Sequence, residues 1–259
     1  MNAPTERTVL AGDYPVRVLE KGEGQPLLFL HSEMGAGVWT EGLDRLARVY
    51  RVLLPDHPGF GPSPLPTWLT GMDDIIVHYS NLLAALGLDE SPVRIAGVSF
   101  GGWIAAEYAS FYPRQVQKLL LAGPLGLRVP ELPPPDLFRL GFDEVVPLVF
   151  HDPSKAAAVM PVSPDIESQV QMFHDWSAFA RLAWSPYLHN PKLTHRLGRA
   201  NMPALIIWGS QDRLTPPVYA EWYQRFLPSA RVAYIQDCGH DPTIEQPEEF
   251  ASLALEFLR

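Results

Sequence analysis

Three side chains in this sequence have the types that nucleophilic catalysis needs: Ser99, Asp212 and His240. A serine hydroxyl is a poor nucleophile at neutral pH. It needs a base within hydrogen-bond reach, and the base needs a third group to fix its tautomer and stabilise its charged form. Ser99 stands in Gly97-Val98-Ser99-Phe100-Gly101, followed by Gly102, a G-x-S-x-G pattern. A sharp turn between a strand and a helix would push such a serine into a strained, exposed position, with small residues on either side to avoid clashes. The pattern is short, so its meaning depends on the elements around it.

Those elements can be read from the apolar pattern. Val93-Arg94-Ile95-Ala96 predicts a strand before the serine, and Gly102 to Tyr112 a helix after it, ending before Pro113. Upstream, Thr8-Val9-Leu10 and Val16-Arg17-Val18-Leu19 predict a hairpin around Ala11-Gly12-Asp13. Pro26 to Leu30 predicts a buried strand, Val38 to Tyr50 a helix and Arg51 to Leu54 another buried strand. Ile75, Tyr79, Leu82 and Leu86 share one helical face, with Asp73 and Asp74 at the start and Gly87 as its C-cap. Lys118 to Ala122 is a further strand, ending at Gly123-Pro124.

The alternation of strand and helix from Pro26 to Ala122 implies right-handed βαβ units and a mostly parallel sheet. Apolar runs without polar alternation suit strands covered on both faces. From Leu125 to Ala200 the rhythm breaks. That segment offers no strand and is rich in aromatic residues and Met, which predicts short helices with prolines between them, inserted as a cap. Ala204 to Trp208, Val218 to Phe226, Val232 to Ile235 and a closing helix with Phe250, Leu253, Ala254 and Phe257 on one face resume it. The expected organisation is therefore a core over 1–124, a helical cap over 125–200 and the rest of the core over 201–259. Ser99, Asp212 and His240 each follow a proposed strand, so all three reach the carboxyl-end rim of one sheet.

The bulk properties narrow the partners. At 259 residues the chain can bury a sizeable core without staples. A net charge of −9 argues against nucleic acid and against an anionic membrane surface. The single cysteine, Cys238, rules out an intramolecular disulfide. No basic stretch leads into an apolar one at the N-terminus, and no apolar run approaches a membrane span, so a cytoplasmic protein acting on a small molecule is expected. Nothing in the sequence sets an oligomeric state.

With these residues in place, the chain resembles the α/β-hydrolase superfamily, in its cap-bearing branch of small bacterial serine hydrolases. The stretches that carry the resemblance are Leu30-His31, Asp56-His57-Pro58-Gly59-Phe60-Gly61, the turn at Ser99, Trp208-Gly209-Ser210-Gln211-Asp212-Arg213 and Cys238-Gly239-His240. The order Ser, Asp, His is that of this fold. The resemblance implies Ser99 as nucleophile, His240 as general base and acid, and Asp212 as its orienting carboxylate, with no cofactor and no metal. A serine at the nucleophile position speaks against haloalkane dehalogenases and epoxide hydrolases of this fold, which use Asp there. It also implies an oxyanion hole built from the backbone N–H groups of Phe100 and Glu33.

Here the sequence departs from the family. Relatives usually carry His-Gly and further small residues where this chain reads His31-Ser32-Glu33-Met34-Gly35. A carboxylate in the hole would repel an oxyanion, so the Glu33 side chain is expected to point elsewhere. An alternative role for it is to read the substrate.

Other residues have quieter expectations. His31, Asp56 and His57 are expected to hold loops together, and Cys238 to be a small buried hydrophobe. His151-Asp152 and His174-Asp175 lack the spacing of a metal site. The favoured activity is hydrolysis of a small, fairly apolar carboxylic ester. Leu121 to Leu127 is similar to C–C bond hydrolases of β-diketones or ring-cleavage products, but Asp241-Pro242 replaces the Trp often found after the histidine of those enzymes. Thioester, lactone or amide hydrolysis and perhydrolysis use the same triad. A non-catalytic ligand receptor on this fold is the alternative of another class.

Overall fold

The computed structural model describes residues 3–160, 164–227 and 229–259. Residues 1–2 of the N-terminal stretch, residues 161–163 of the expected cap and residue 228 lie outside them. Eight strands form one sheet: β1 (Thr5–Ala11), β2 (Tyr14–Lys21), β3 (Pro26–Leu30), β4 (Arg51–Pro55), β5 (Val93–Val98), β6 (Val116–Ala122), β7 (Ala204–Gly209) and β8 (Ala230–Ile235). Their spatial order is β1-β2-β4-β3-β5-β6-β7-β8. β1 pairs antiparallel with β2, and β2 with β4; every other neighbouring pair is parallel.

Period-two alternation splits each buried strand between two cores. Leu28, Leu53, Ile95, Leu119, Leu121 and Ile206 face the layer of α2 (Met72–Ala85), α3 (Ser99–Phe111) and α7 (Val218–Phe226). Leu27, Phe29, Val52, Leu120, Leu205 and Ile207 face α1 (Glu41–Leu46) and α9 (Pro247–Leu258). The closing helix buries Phe250, Ala254 and Phe257. α2 stops as its sequence directs. Gly87 adopts φ +68°, its N–H reaches Ala84 O and the Leu88 N–H reaches Leu83 O, so two orphan carbonyls are satisfied.

Some boundaries differ from the sequence reading. The helix expected over Val38 to Tyr50 is only α1: Thr40 Oγ1 accepts the Leu43 N–H (3.3 Å) and fixes its start, and Ala47 is already its C-cap. The helix expected from Gly102 begins at Ser99 itself. Between β6 and β7 the described residues form helices and turns and contribute no strand to the sheet: α4 (Phe142–Val149), α5 (Ile166–Ala183), α6 (Leu193–Arg196) and turns of 3₁₀ helix. α5 spans 18 residues, longer than the short helices expected, and Asp165 caps it by accepting the Ser168 N–H at 2.8 Å. A short helix missed in the sequence, α8 (Pro242–Glu245), follows His240.

Candidate functional site

The strand-to-helix turn at the end of β5 forces Ser99 to φ +52°, a left-handed conformation that non-glycine residues avoid. Its neighbours explain how the chain tolerates this. A Cβ on Gly97 would stand 2.4 Å from Gly101 O, and one on Gly101 would stand 2.2 Å from Leu30 O. Only glycine fits at either position, so the two glycines of the pattern are demanded by close backbone approach.

The three expected side chains meet. His240 Nδ1–H donates to Asp212 Oδ2 at 2.7 Å, since a carboxylate can only accept, and His240 Nε2 lies 2.8 Å from Ser99 Oγ. Asp212 is itself fixed: its Oδ1 accepts the N–H groups of Leu214 and Thr215, both at 2.9 Å, and its Oδ2 accepts the Thr215 hydroxyl at 3.2 Å. The loop that carries His240 is held by Glu245, on α8. Its carboxylate accepts the Gly239 N–H (2.6 Å) and the Asp152 N–H (2.9 Å), while the His240 N–H donates to Val149 O at the end of α4. Neither Thr215 nor Glu245 was singled out in the sequence. Each acts through contacts between loops, which leave no local pattern.

Burial alone would lower the His240 pKa. The charge and hydrogen bond of Asp212, with Glu33 and Asp241 nearby, outweigh it and hold the imidazole above its ordinary 6.5.

The loop after β3 holds the main departure from expectation. Glu33 does not point away: its Oε2 accepts the Ser99 hydroxyl at 2.6 Å, and the residue is 2 % exposed. A hydroxyl has one proton, so it cannot serve Glu33 and His240 together. With the Ser99 O–H directed at Glu33, Oγ meets His240 Nε2 only as an acceptor, from the imidazolium form that Asp212, Glu33 and Asp241 favour. The physical reason lies beneath the loop. The His57 N–H donates to His31 Nε2 (3.1 Å), so His31 Nδ1–H donates to Ser32 O (2.6 Å); the Tyr79 hydroxyl donates to His57 Nδ1, whose Nε2–H donates to His31 O (2.8 Å). These bonds bind the β3 and β4 loops together at full burial, and desolvation lowers the His31 pKa to about 4, so it stays neutral. The backbone course is thus set, and it brings the next side chain, Glu33, to Ser99.

The cost of that placement can be gauged. A negative charge about 4 Å from an oxyanion, at an effective dielectric of about 20, repels it by about 4 kcal/mol. One oxyanion donor contributes about 2.7–4 kcal/mol. An unmoved Glu33 carboxylate would therefore cancel about one donor. Phe100, second residue of α3, has an N–H with no intrahelical acceptor, as a donor in the hole requires.

The remaining candidates take structural positions. Asp56 pairs with Arg17 (2.9 Å) and accepts from Ser63; burial raises its pKa to about 6 despite Arg17. Cys238 is buried, and burial pushes its thiol pKa up. Asp152 caps a 3₁₀ turn, and Asp175 accepts the Gly61 N–H at 2.9 Å. No group of three or more His, Cys, Asp or Glu suited to a metal occurs among the described residues.

Ser99 and His240 are both buried. A cavity of about 30 Å³ lies beside Glu33, walled by Met34, Phe142, Val159, Met160, Met172, Asp175 and Trp176. A larger cleft of about 390 Å³ opens between the start of α2 and the α5–α6 connection; neither lining contains a triad residue, and the smaller cavity reaches Ser99 only through Glu33.

A mostly parallel eight-stranded sheet, a strained serine between strand and helix, and Asp and His after later strands together define a hydrolase of the α/β-hydrolase fold. The chain belongs to the alpha/beta hydrolase family, whose model matches residues 27–253. It is 30% identical to a 2-hydroxy-6-oxo-6-(2'-aminophenyl)hexa-2,4-dienoic acid hydrolase of Metapseudomonas resinovorans, over 99% of this chain and 92% of that protein. It is 26% identical to a pimeloyl-[acyl-carrier protein] methyl ester esterase of Nitrosomonas europaea, over 92% and 97% respectively. Among solved structures, a serine hydrolase involved in carbazole degradation matches with a TM-score of 0.79 and 28% identity, over 99% of both chains. The described residues include no helix long and apolar enough to cross a membrane.

Proposed function

We propose that the protein is a serine hydrolase that cleaves a small, fairly apolar carboxylic ester through an acyl-enzyme, without a cofactor. The observation that carries this reading is the hydrogen-bonded chain from Asp212 through His240 to the strained Ser99. Ser99 Oγ attacks the carbonyl carbon as His240 Nε2 takes its proton. Asp212 holds the imidazole and stabilises the imidazolium that forms. The Phe100 and Glu33 N–H groups receive the oxyanion. His240 returns the proton to the leaving alcohol, and a water, activated by the same base, frees the acid.

Residues 125–200 act as a cap over this site and set its specificity, and the enzyme works in the cytoplasm. The cavity beside Glu33, of about 30 Å³, is far smaller than the roughly 300–1,000 Å³ of cavities that take small ligands.

Hydrolysis of a C–C bond is the second reading, favoured by the 30% identity to the dienoic acid hydrolase. Two features weigh towards the ester. The substrate named for that relative is a carboxylic acid, whereas the cavity here presents Glu33 and Asp175 and no Lys or Arg among the described residues. The residue after His240 is Asp241, N-cap of α8, instead of a Trp. A panel of esters of graded chain length, thioesters and vinylogous diketones, run with wild type and Ser99→Ala, tests the reading. Turnover of short esters that disappears in Ser99→Ala is expected. Cleavage of the diketones alone would move the assignment to C–C hydrolysis, and equal activity in Ser99→Ala would overturn the serine mechanism.

A further inference from the structure

Glu33 is the group at the nucleophile that a Ser-His-Asp mechanism does not use. It is buried, its Oε2 accepts the Ser99 hydroxyl at 2.6 Å, and it lines the neighbouring cavity. While that bond stands, the hydroxyl is turned away from His240, which must receive its proton. Something has to draw the carboxylate off the serine.

The cavity shows what could do so. Its walls are Met34, Phe142, Val159, Met160, Met172 and Trp176, with Asp175 the second carboxylate. Asp175 is already engaged, by the Gly61 N–H at 2.9 Å and the Gln171 amide at 2.8 Å. No cation among the described residues lines the cavity, so a negatively charged substrate would meet two carboxylates in mostly apolar surroundings with no cation in the wall to pair with. A hydrogen-bond donor would meet an acceptor that apolar residues leave free to exchange partners.

We propose that Glu33 is a specificity-determining residue: it takes an ammonium or hydroxyl donor on the substrate, releases the Ser99 hydroxyl to His240 in the exchange, and thereby selects donor-bearing acyl substrates against carboxylate-bearing ones. This rests on the serine-hydrolase reading. The Nε2 proton of the His240 imidazolium leaves to solvent, and otherwise only hydrogen bonds change in the exchange. The donor keeps its proton, and the Ser99 O–H turns from Oε2 to Nε2.

The test is a matched set of p-nitrophenyl esters of two chain lengths, ending in methyl, hydroxyl, ammonium or carboxylate, with a second set carrying the same groups on the alcohol. Wild-type kcat/KM is expected to favour an ammonium or hydroxyl ester over its methyl isostere by about tenfold or more, the scale of one charge-assisted hydrogen bond. The carboxylate ester should fall below the methyl ester by a similar factor. In Glu33→Gln these ratios should shrink to about threefold or less, and Glu33→Asp, which keeps the charge, should preserve their order. A wild type that cleaves the carboxylate ester as fast as the methyl ester overturns the proposal, whether or not any variant folds. So does a ranking unchanged in a folded Glu33→Gln. Hydrolysis that survives in Ser99→Ala would instead remove the serine mechanism on which the proposal rests, and it is scored separately from the ranking.

Discussion

Two loops reach Ser99, and they differ in what they bring. The loop after β8 delivers His240 at 2.8 Å, backed by Asp212 and anchored through Glu245; the loop after β3 delivers Glu33 at 2.6 Å, anchored through His31 and His57. Both are held by polar contacts from neighbouring loops. One brings an imidazole, the base of the proposed acyl transfer, while the other brings a carboxylate that competes with it for the single hydroxyl proton. Rigid support is therefore no sign of catalytic role. The acceptor that a neutral histidine offers and the one that a carboxylate offers must be told apart by the proton's path.

The comparison can be broken first on the His240 side. Asp212→Asn removes the acceptor that fixes the Nδ1–H tautomer, and kcat on a short ester should fall about 10⁴-fold. A loss below about tenfold in steady-state assays would show that His240 is oriented without it.

The Glu33 side has a subtler signature. The proposed mechanism needs neutral His240, whose pKa is held above the ordinary 6.5 because Asp212, Glu33 and Asp241 together favour the imidazolium more than burial opposes it. The acidic limb of the kcat/KM profile should therefore lie above pH 6.5. Glu33→Gln removes one of the charges that stabilise the imidazolium, so the limb should move to lower pH. A limb that stays in place, or moves up, would separate Glu33 from the titration of His240.

A smaller effect is expected from Glu245→Ala. It frees the Gly239 and Asp152 N–H groups, and the loss of these bonds should cost about 1–3 kcal/mol of stability. As a positioning residue it should lower kcat about tenfold with KM little changed, because misplacing the base weakens the chemical step more than substrate binding. Partial recovery in Glu245→Gln, which retains one acceptor oxygen, would separate positioning from general loss of structure. A drop in stability with kcat intact would make Glu245 structural only.

The legible part of the molecule was the part with local period or close packing. Continuous apolar runs gave β3, β4 and β6 near their observed ends, the spacing of Ile75, Tyr79 and Leu82 gave α2, and the glycines beside Ser99 followed from steric demand. The convergence of Ser99, Asp212 and His240 was also readable, because parallel strands put their carboxyl ends on one rim. The orientation of Glu33 was not. It follows from the His31–His57 contacts, which join residues 26 apart in the chain, and the sequence offered only a repulsion argument that ignored them. Thr215 and Glu245 were hidden for the same reason. Helix α1 is shorter than the apolar pattern over Val38 to Tyr50 suggests, because that pattern marks neither the Thr40 N-cap nor the C-cap at Ala47.

The central claim is that Ser99 is the nucleophile. Treating the folded protein with an alkyl fluorophosphonate and mapping the adduct by peptide mass spectrometry tests it most directly. One phosphonyl group on Ser99, absent in Ser99→Ala, is the predicted result. An unlabelled wild type that still hydrolyses its substrate, or labelling that persists in Ser99→Ala, would contradict it.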